Sequence, residues 1–129
     1  MRQGGRANAL QLYRCLASLW LGRDYPWGEP QTLPRTAIYH PQHVNADLAH
    51  WQADWQPGQP VAALLFYRSH LQAANTAFVD VFCQRLQATG LNPLPMAVAS
   101  LKEPGCLTVV QDLLDEVEAG IILNTTGFA

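Results

Sequence analysis

Apolar and polar positions fall into alternating blocks from Val61 onward. A continuous apolar run, VAALLFY at 61–67, stops abruptly at Arg68. Seven apolar residues without a polar face read as a strand buried on both sides. Residues 75–89 then change to helical spacing, with Phe78, Val79, Phe82 and Leu86 on one face and Gly90 as the stop. PLPMAV at 93–98 reads as a second strand. A second helix follows over 105–118, with Leu107, Val110, Leu113, Leu114 and Val117 inward and Asp112, Asp115, Glu116 and Glu118 outward; Gly120 ends it. IILN at 121–124 is a third strand. This β-α-β-α-β rhythm predicts an α/β fold: a partial Rossmann-like, doubly wound parallel sheet of three strands with right-handed crossovers. With no helix after the third strand, the chain reads as half of such a domain. Its sheet edge needs a cover, and so it reads as an internal piece of a longer protein.

The first part of the chain has a different texture. Leu10, Tyr13, Ala17 and Trp20/Leu21 predict a helix over 7–21, with Asn8 as its cap and Gly22 as a left-handed stop. Residues 22–59 are rich in Pro, Gly and aromatic residues, which leaves room for few regular elements. One exception is 45–55, where Leu48, Trp51 and Trp55 share a helical face and Asn45 is the natural cap. The chain therefore divides into 1–59, an N-terminal helix plus a Pro/Trp-rich linker, and 60–129, the partial α/β domain. All four Trp lie between Trp20 and Trp55. They read as a packing surface against something else, or as a lead-in to a larger core.

Composition narrows the function classes. Hydrophobic residues at 49% and charged residues at 14% support a packed core and argue against general disorder. A net charge of −2 argues against nucleic acid as a partner, because phosphate binding needs a basic face. Cys15, Cys83 and Cys106 are odd in number, widely spaced and lack a CxxC pair, so reduced thiols are expected. Cys15 and Cys83 fall on apolar helix faces as small hydrophobes. No secretory signal is visible. LQLYRCLASLWLG carries an Arg and is too short to span a bilayer. The expectation is a soluble, cytoplasmic protein.

The chemistry-bearing residues gather in three loops. Open α/β sheets bind ligands just outside the carboxyl ends of their strands. The first loop offers Arg68, Ser69, His70, Asn75 and Thr76; the second, Ser100 and Lys102; the third, Asn124, Thr125, Thr126 and Gly127. Arg68 has the geometry to hold a carboxylate, and His70 exchanges a proton near neutral pH. The bland account makes Asn75 and Thr76 a helix cap and leaves Arg68 solvated. His40-Pro41-Gln42-His43, with His50 beyond, resembles a metal site only superficially; HxxH alone lacks the three or four ligands such sites use. No metal ligand set is assigned. There is no GxGxxG and no GxxxxGK[ST], and the first loop has no Gly at all, so ATP or dinucleotide binding by this chain is not expected.

Three blocks, VAALLFYRSHLQAANTAFVD, GLNPLPMAVASLKEPGC and IILNTTGFA, resemble consecutive parts of the cobaltochelatase large subunit, a relative of the large subunit of magnesium chelatase. LPRTAIYHPQHVNADLAHWQADWQPGQPVAALLFYRSH and GGRANALQLYRCLASLWLG continue the resemblance toward the start. It implies a fragment of an ATP-dependent enzyme that inserts Co²⁺, its substrate metal, into a corrin, hydrogenobyrinic acid a,c-diamide, during cobalamin synthesis. Such a subunit binds the tetrapyrrole. Separate AAA+ and integrin-like subunits use ATP and Mg²⁺, consistent with no nucleotide motif here. The implied partners are the rest of the large subunit, those two subunits and the corrin; no cofactor is assigned to the fragment, which alone is expected to be inactive. The implied substrate-lining residues are Arg68, His70, Asn75, Thr76, Asn124, Thr125, Thr126 and Gly127. A magnesium chelatase subunit acting on protoporphyrin IX, a non-catalytic small-molecule binding module and an inactive remnant of a broken reading frame remain as alternatives.

Overall fold

The computed structural model describes residues 4–127. In chain order the elements are α1 (Arg6–Leu21), β1 (Thr36–Ile38), α2 (Leu48–Asp54), β2 (Val61–Tyr67), α3 (Arg68–Gln72), α4 (Ala77–Ala88), β3 (Asn92–Val98), α5 (Pro104–Glu116) and β4 (Ile121–Asn124). The sheet order is β1-β3-β2-β4. β3 and β4 flank β2 and run parallel to it, whereas β1 joins β3 antiparallel. The α/β expectation holds, with a fourth strand that the Pro-rich lead-in had concealed. The chain moves one way from β2 to β3 and the other way from β3 to β4. Right-handed crossovers in opposite senses place α4 and α5 on opposite faces. The strand order therefore reverses between β2 and β4, a topological switch point.

Leu64, Phe66, Leu94, Met96 and Val98 are fully buried in the two inner strands, with Val79 of α4 and Val110 of α5 packed over them. Burying side chains of this size contributes roughly 1.5–3 kcal/mol each. Phe82 and Leu107, expected inward, are 42% and 39% exposed. Each sits at the margin of its stripe, where the sheet below is only four strands wide. Cys83 is buried as expected, and Cys15 is half-buried.

Two prolines inside β3 are accommodated by pairing geometry. Asn92 N–H donates to Pro60 O, so even-numbered residues of β3 bond toward β2. Pro93 and Pro95 therefore turn their missing donors toward the β1 side, where Pro95, paired with Tyr39, leaves one ladder bond unmade. Two indoles complete that side. Trp51 Nε1–H donates to Tyr39 O at 2.6 Å, opposite Pro95, and Trp55 Nε1–H donates to Pro93 O at 2.9 Å. Two of the four Trp thus fasten α2 to a strand edge, while Trp20 and Trp27 are 79% and 50% exposed on and beyond α1.

Several element ends differ from expectation, and at three helix starts Asn was the misleading residue. Asn8 does not cap α1; it is buried within it, bonding to Gly4 O, Gln31 O and Gln31 N–H. Asn45 is left-handed at φ 57, and Asp47 caps α2 through a reciprocal pair with His50. Asn75 lies outside α4, whose cap is Thr76 without a side-chain bond. Residues 68–72 form the short helix α3 rather than a loop. Gly22 does stop α1 in the left-handed region. After α5 that conformation falls on Glu118, φ 49, not on Gly120, whose N–H instead bonds Val61 O to start the β4 pairing. No helix among the described residues is long and apolar enough to cross a membrane.

Candidate functional site

The parallel strands β2, β3 and β4 present their carboxyl ends on one side of the sheet, so the three expected loops do share a face. β2 delivers Tyr67 and Arg68 there, β3 leads into Ser100 and Lys102, and β4 ends at Asn124. One tie spans the switch point: Tyr67 Oη–H donates to Gly127 O at 2.9 Å. Tyr67 was not singled out in the sequence. Its signal was its place as the single amphipathic residue closing an apolar run.

Beyond β4 the chain is held firmly. Thr125 donates both its N–H and its hydroxyl to Leu65 O, at 2.9 and 2.8 Å. Asn124 Oδ1 accepts from Thr126 N–H at 2.9 Å and from the Thr126 hydroxyl at 2.6 Å. Such an Asx turn is what an Asn followed by small hydroxyl residues favours. It buries Thr126, while Asn124 and Thr125 remain exposed.

At the β2 end, Arg68 is half-buried, and its Nη1 donates to Leu33 O at 3.1 Å and to Pro34 O at 3.4 Å. Its guanidinium thus ties the lead-in to the strand end. His70, also half-buried, lies against Phe78 and Phe66, ring centroids 4.8 and 6.4 Å away. Asn75 is exposed, and its N–H donates to His70 O at 2.9 Å, closing the turn between α3 and α4. Thr76 accompanies Tyr39 and Asp80. The phenol has one proton, which the Asp80 carboxylate takes at 2.8 Å, so the Thr76 hydroxyl, 3.0 Å away, donates to the phenol oxygen. Burial, with Asp80 adding to it and Thr76 opposing, pushes the Tyr39 hydroxyl up to about 12.

At the β3 end, Ser100 Oγ accepts from Lys102 N–H at 3.2 Å, and Glu103 precedes α5. Arg35, just ahead of β1, grips Glu103 with both Nε and Nη2. Its hydrogen bonds, first among the causes, hold the Glu103 carboxyl below its usual range; Arg68 contributes more weakly from a distance. This Arg35–Glu103 pair was not foreseen, since 68 residues separate the partners.

The histidines do gather. His40 and His43 ring centroids lie 4.7 Å apart, and His43 and His50 4.1 Å. Nitrogens of two of them have local partners: His40 Nδ1 accepts from Gln42 N–H, and His50 Nδ1 meets Asp47 Oδ1 at 2.6 Å. Among the described residues, no group of three His, Cys, Asp or Glu is arranged to hold a metal ion. A groove of about 800 Å³ lies along β1 and touches only Thr76 of the candidate residues.

A family model described as CobN/Magnesium Chelatase matches residues 1–129. Over 129 residues the chain is 66% identical to the aerobic cobaltochelatase subunit CobN of Pseudomonas aeruginosa PAO1, covering 100% of this chain and 10% of that protein. It is 28% identical over 138 residues to the subunit of the same name from Sinorhizobium sp, covering 98% of this chain and 10% of that protein. Among solved structures, the catalytic subunit of cobaltochelatase from Mycobacterium tuberculosis superposes with a TM-score of 0.73 at 25% identity, over 98% of this chain and 10% of that one. The chain thus spans about a tenth of the length of each relative and corresponds to a segment of the cobaltochelatase large subunit. It belongs to the CobN/magnesium chelatase family.

Proposed function

We propose that this chain lines part of the tetrapyrrole site of an ATP-dependent cobaltochelatase, which inserts Co²⁺ into hydrogenobyrinic acid a,c-diamide in cobalamin synthesis. The observation that carries this reading is the switch point between β2 and β4, bridged by Tyr67 and Gly127, in a chain that matches the family along its whole length. Ligands of open α/β sheets settle at that point. In this reading His70, Asn75, Thr76 and the turn Asn124, Thr125, Thr126 and Gly127 face the macrocycle or its amide and carboxylate arms. Arg68 positions the wall through its bonds to Leu33 and Pro34. ATP and Mg²⁺ are handled by AAA+ and integrin-like partner subunits in the cytoplasm, and the remainder of the large subunit completes the site.

A fluorescence-quenching titration tests the reading, with the four Trp as reporters and hydrogenobyrinic acid a,c-diamide and protoporphyrin IX as separate probes. Saturable quenching is expected with the corrin, weakened in His70→Ala while the circular dichroism spectrum stays unchanged. Tighter binding of the porphyrin would move the assignment to the magnesium branch. No quenching by either probe would remove this segment from the tetrapyrrole site.

A further inference from the structure

We propose that the outer edge of β1 receives an extended segment from elsewhere in the large subunit, which adds to the sheet as a fifth strand. Successive residues of a strand face opposite sides of its sheet. Yet Thr36, Ala37, Ile38 and Tyr39 all line the same groove of about 800 Å³. Only a cavity running along the strand edge meets four consecutive residues. Its walls agree: Val109 and Leu113 of α5 close it from one face, and Leu71 closes it from the other.

The register identifies which backbone groups face that groove. Tyr39 N–H donates to Pro95 O, and Ala99 N–H donates to Arg35 O. In an antiparallel pair, hydrogen-bonded and non-bonded positions alternate. Residues 35, 37 and 39 therefore bond toward β3, and Thr36 and Ile38 turn their N–H and C=O outward. Among the described residues these four groups have no partner. The Thr36 hydroxyl is likewise buried without a partner, which is costly. Natural sheet edges are blunted by shortness, charge, proline or a bulge, and β1, at three residues, is short. Thr36–Ile38 carries no charge, proline or bulge.

The occupant follows from the shape and from the family. Gly4–Asn8 and residues 40–47 also line the groove, so the edge lies inside it. A second copy would bring an edge that lies inside its own groove and could not reach it, whereas a single extended segment fits and can use strand-spaced donors and acceptors. The relatives carry about nine-tenths of their length outside the matched region, which supplies such a segment. The proposal rests on family membership and not on where the tetrapyrrole binds, so the quenching titration can fail without affecting it.

Overlapping synthetic peptides tiling the Pseudomonas aeruginosa subunit outside its matched tenth provide the probes, titrated onto this chain by fluorescence polarisation. One peptide, or a few overlapping ones, should bind saturably. N-methylation of alternate amides in one register of that peptide should weaken binding about tenfold, since backbone donors are lost. Methylation of the other register should leave binding unchanged. Ile38→Pro should abolish binding; the methylated peptides decide the matter independently if that variant unfolds. Absence of binding by every peptide, or equal binding by both methylated registers, overturns the proposal.

Discussion

Replacing Trp51 by Phe tests how the sheet tolerates proline in an inner strand. Trp51 is 3% exposed, and its indole N–H reaches Tyr39 O at 2.6 Å. Tyr39 N–H already bonds Pro95 O, so the ladder would ordinarily return a bond from residue 95 to Tyr39 O. Pro95 has no N–H to give. Trp51→Phe therefore leaves that carbonyl without its donor, at a cost of about 1–3 kcal/mol. The smaller ring removes a few buried carbons and adds about 1 kcal/mol. The expected loss is roughly 2–4 kcal/mol in urea unfolding followed by far-ultraviolet circular dichroism. The decisive comparison is Pro95→Ala. Alone it should cost about 1–2 kcal/mol, since Pro95 is fully buried and the change removes packed methylenes as well as the rigidity of proline. In the Trp51→Phe background the backbone N–H restored by Pro95→Ala can face Tyr39 O and recover about 1 kcal/mol. A coupling of that size between two residues on different elements is what a double-mutant cycle measures. If Pro95→Ala has the same effect in both backgrounds, the indole is not substituting for the missing ladder donor and the reasoning fails.

Two further outcomes follow from titratable groups. Tyr39 has a folded-state value of about 12, above the usual 10, so the fold favours its protonated form. That stabilisation is complete below pH 10 and is lost as pH rises from 10 toward 12; melting curves across this window should show a steeper decline for the native chain than for Tyr39→Phe, and parallel curves would contradict the assignment. Asp47 is held below its usual range, first by the His50 backbone N–H and then by the His50 ring. Its contribution is present above the ordinary carboxylate value and disappears as pH falls through the lowered one, so Asp47→Ala should reduce the melting temperature by a few degrees at about pH 7 and by almost nothing at about pH 2; an equal deficit at both would show that capping is not its role.

The inner strands were legible because burial on both faces leaves an unbroken apolar run. VAALLFY starts and stops where the pattern does; IILN does so too, although β4 is an edge strand with Ile121 and Ile122 38% and 53% exposed, so there the apolar run does not report burial. β1 was not, because three residues between Pro34 and Pro41 are too few to display a period, and their pairing to β3 spans about 60 positions of sequence. The caps failed for a different reason. Asn8, Asn45 and Asn75 all suit a helix start chemically, but the start is set by where packing lets the axis begin. Asn8 was more useful as a bridge to Gln31, and Asn45 as a left-handed corner. The Trp cluster was visible as a surface in search of a partner. That half of it donates to the carbonyl of Pro93 and to the Tyr39 carbonyl opposite Pro95 depends on register, which composition does not carry.

The candidate site divides in the same way once its hydrogen bonds are followed. Thr125 spends both donors on Leu65 O, Thr126 spends its hydroxyl and amide on Asn124 Oδ1, Tyr67 spends its proton on Gly127, and Arg68 reaches the Leu33 and Pro34 carbonyls. These groups build the rim. A ligand would have to displace an existing bond to use them, and each displaced bond subtracts from its affinity. His70 and the exposed amide side chain of Asn75 stand differently: among the described residues neither side chain is engaged in a hydrogen bond, and His70 is held in place by Phe66 and Phe78 instead. A ring fixed by packing and left with its nitrogens uncommitted is oriented at little entropic cost. The conspicuous cation of the first loop is therefore the better candidate for structure, and the less conspicuous imidazole two residues later the better candidate for recognition. Alanine at Arg68 should then register chiefly in stability, and alanine at His70 chiefly in binding.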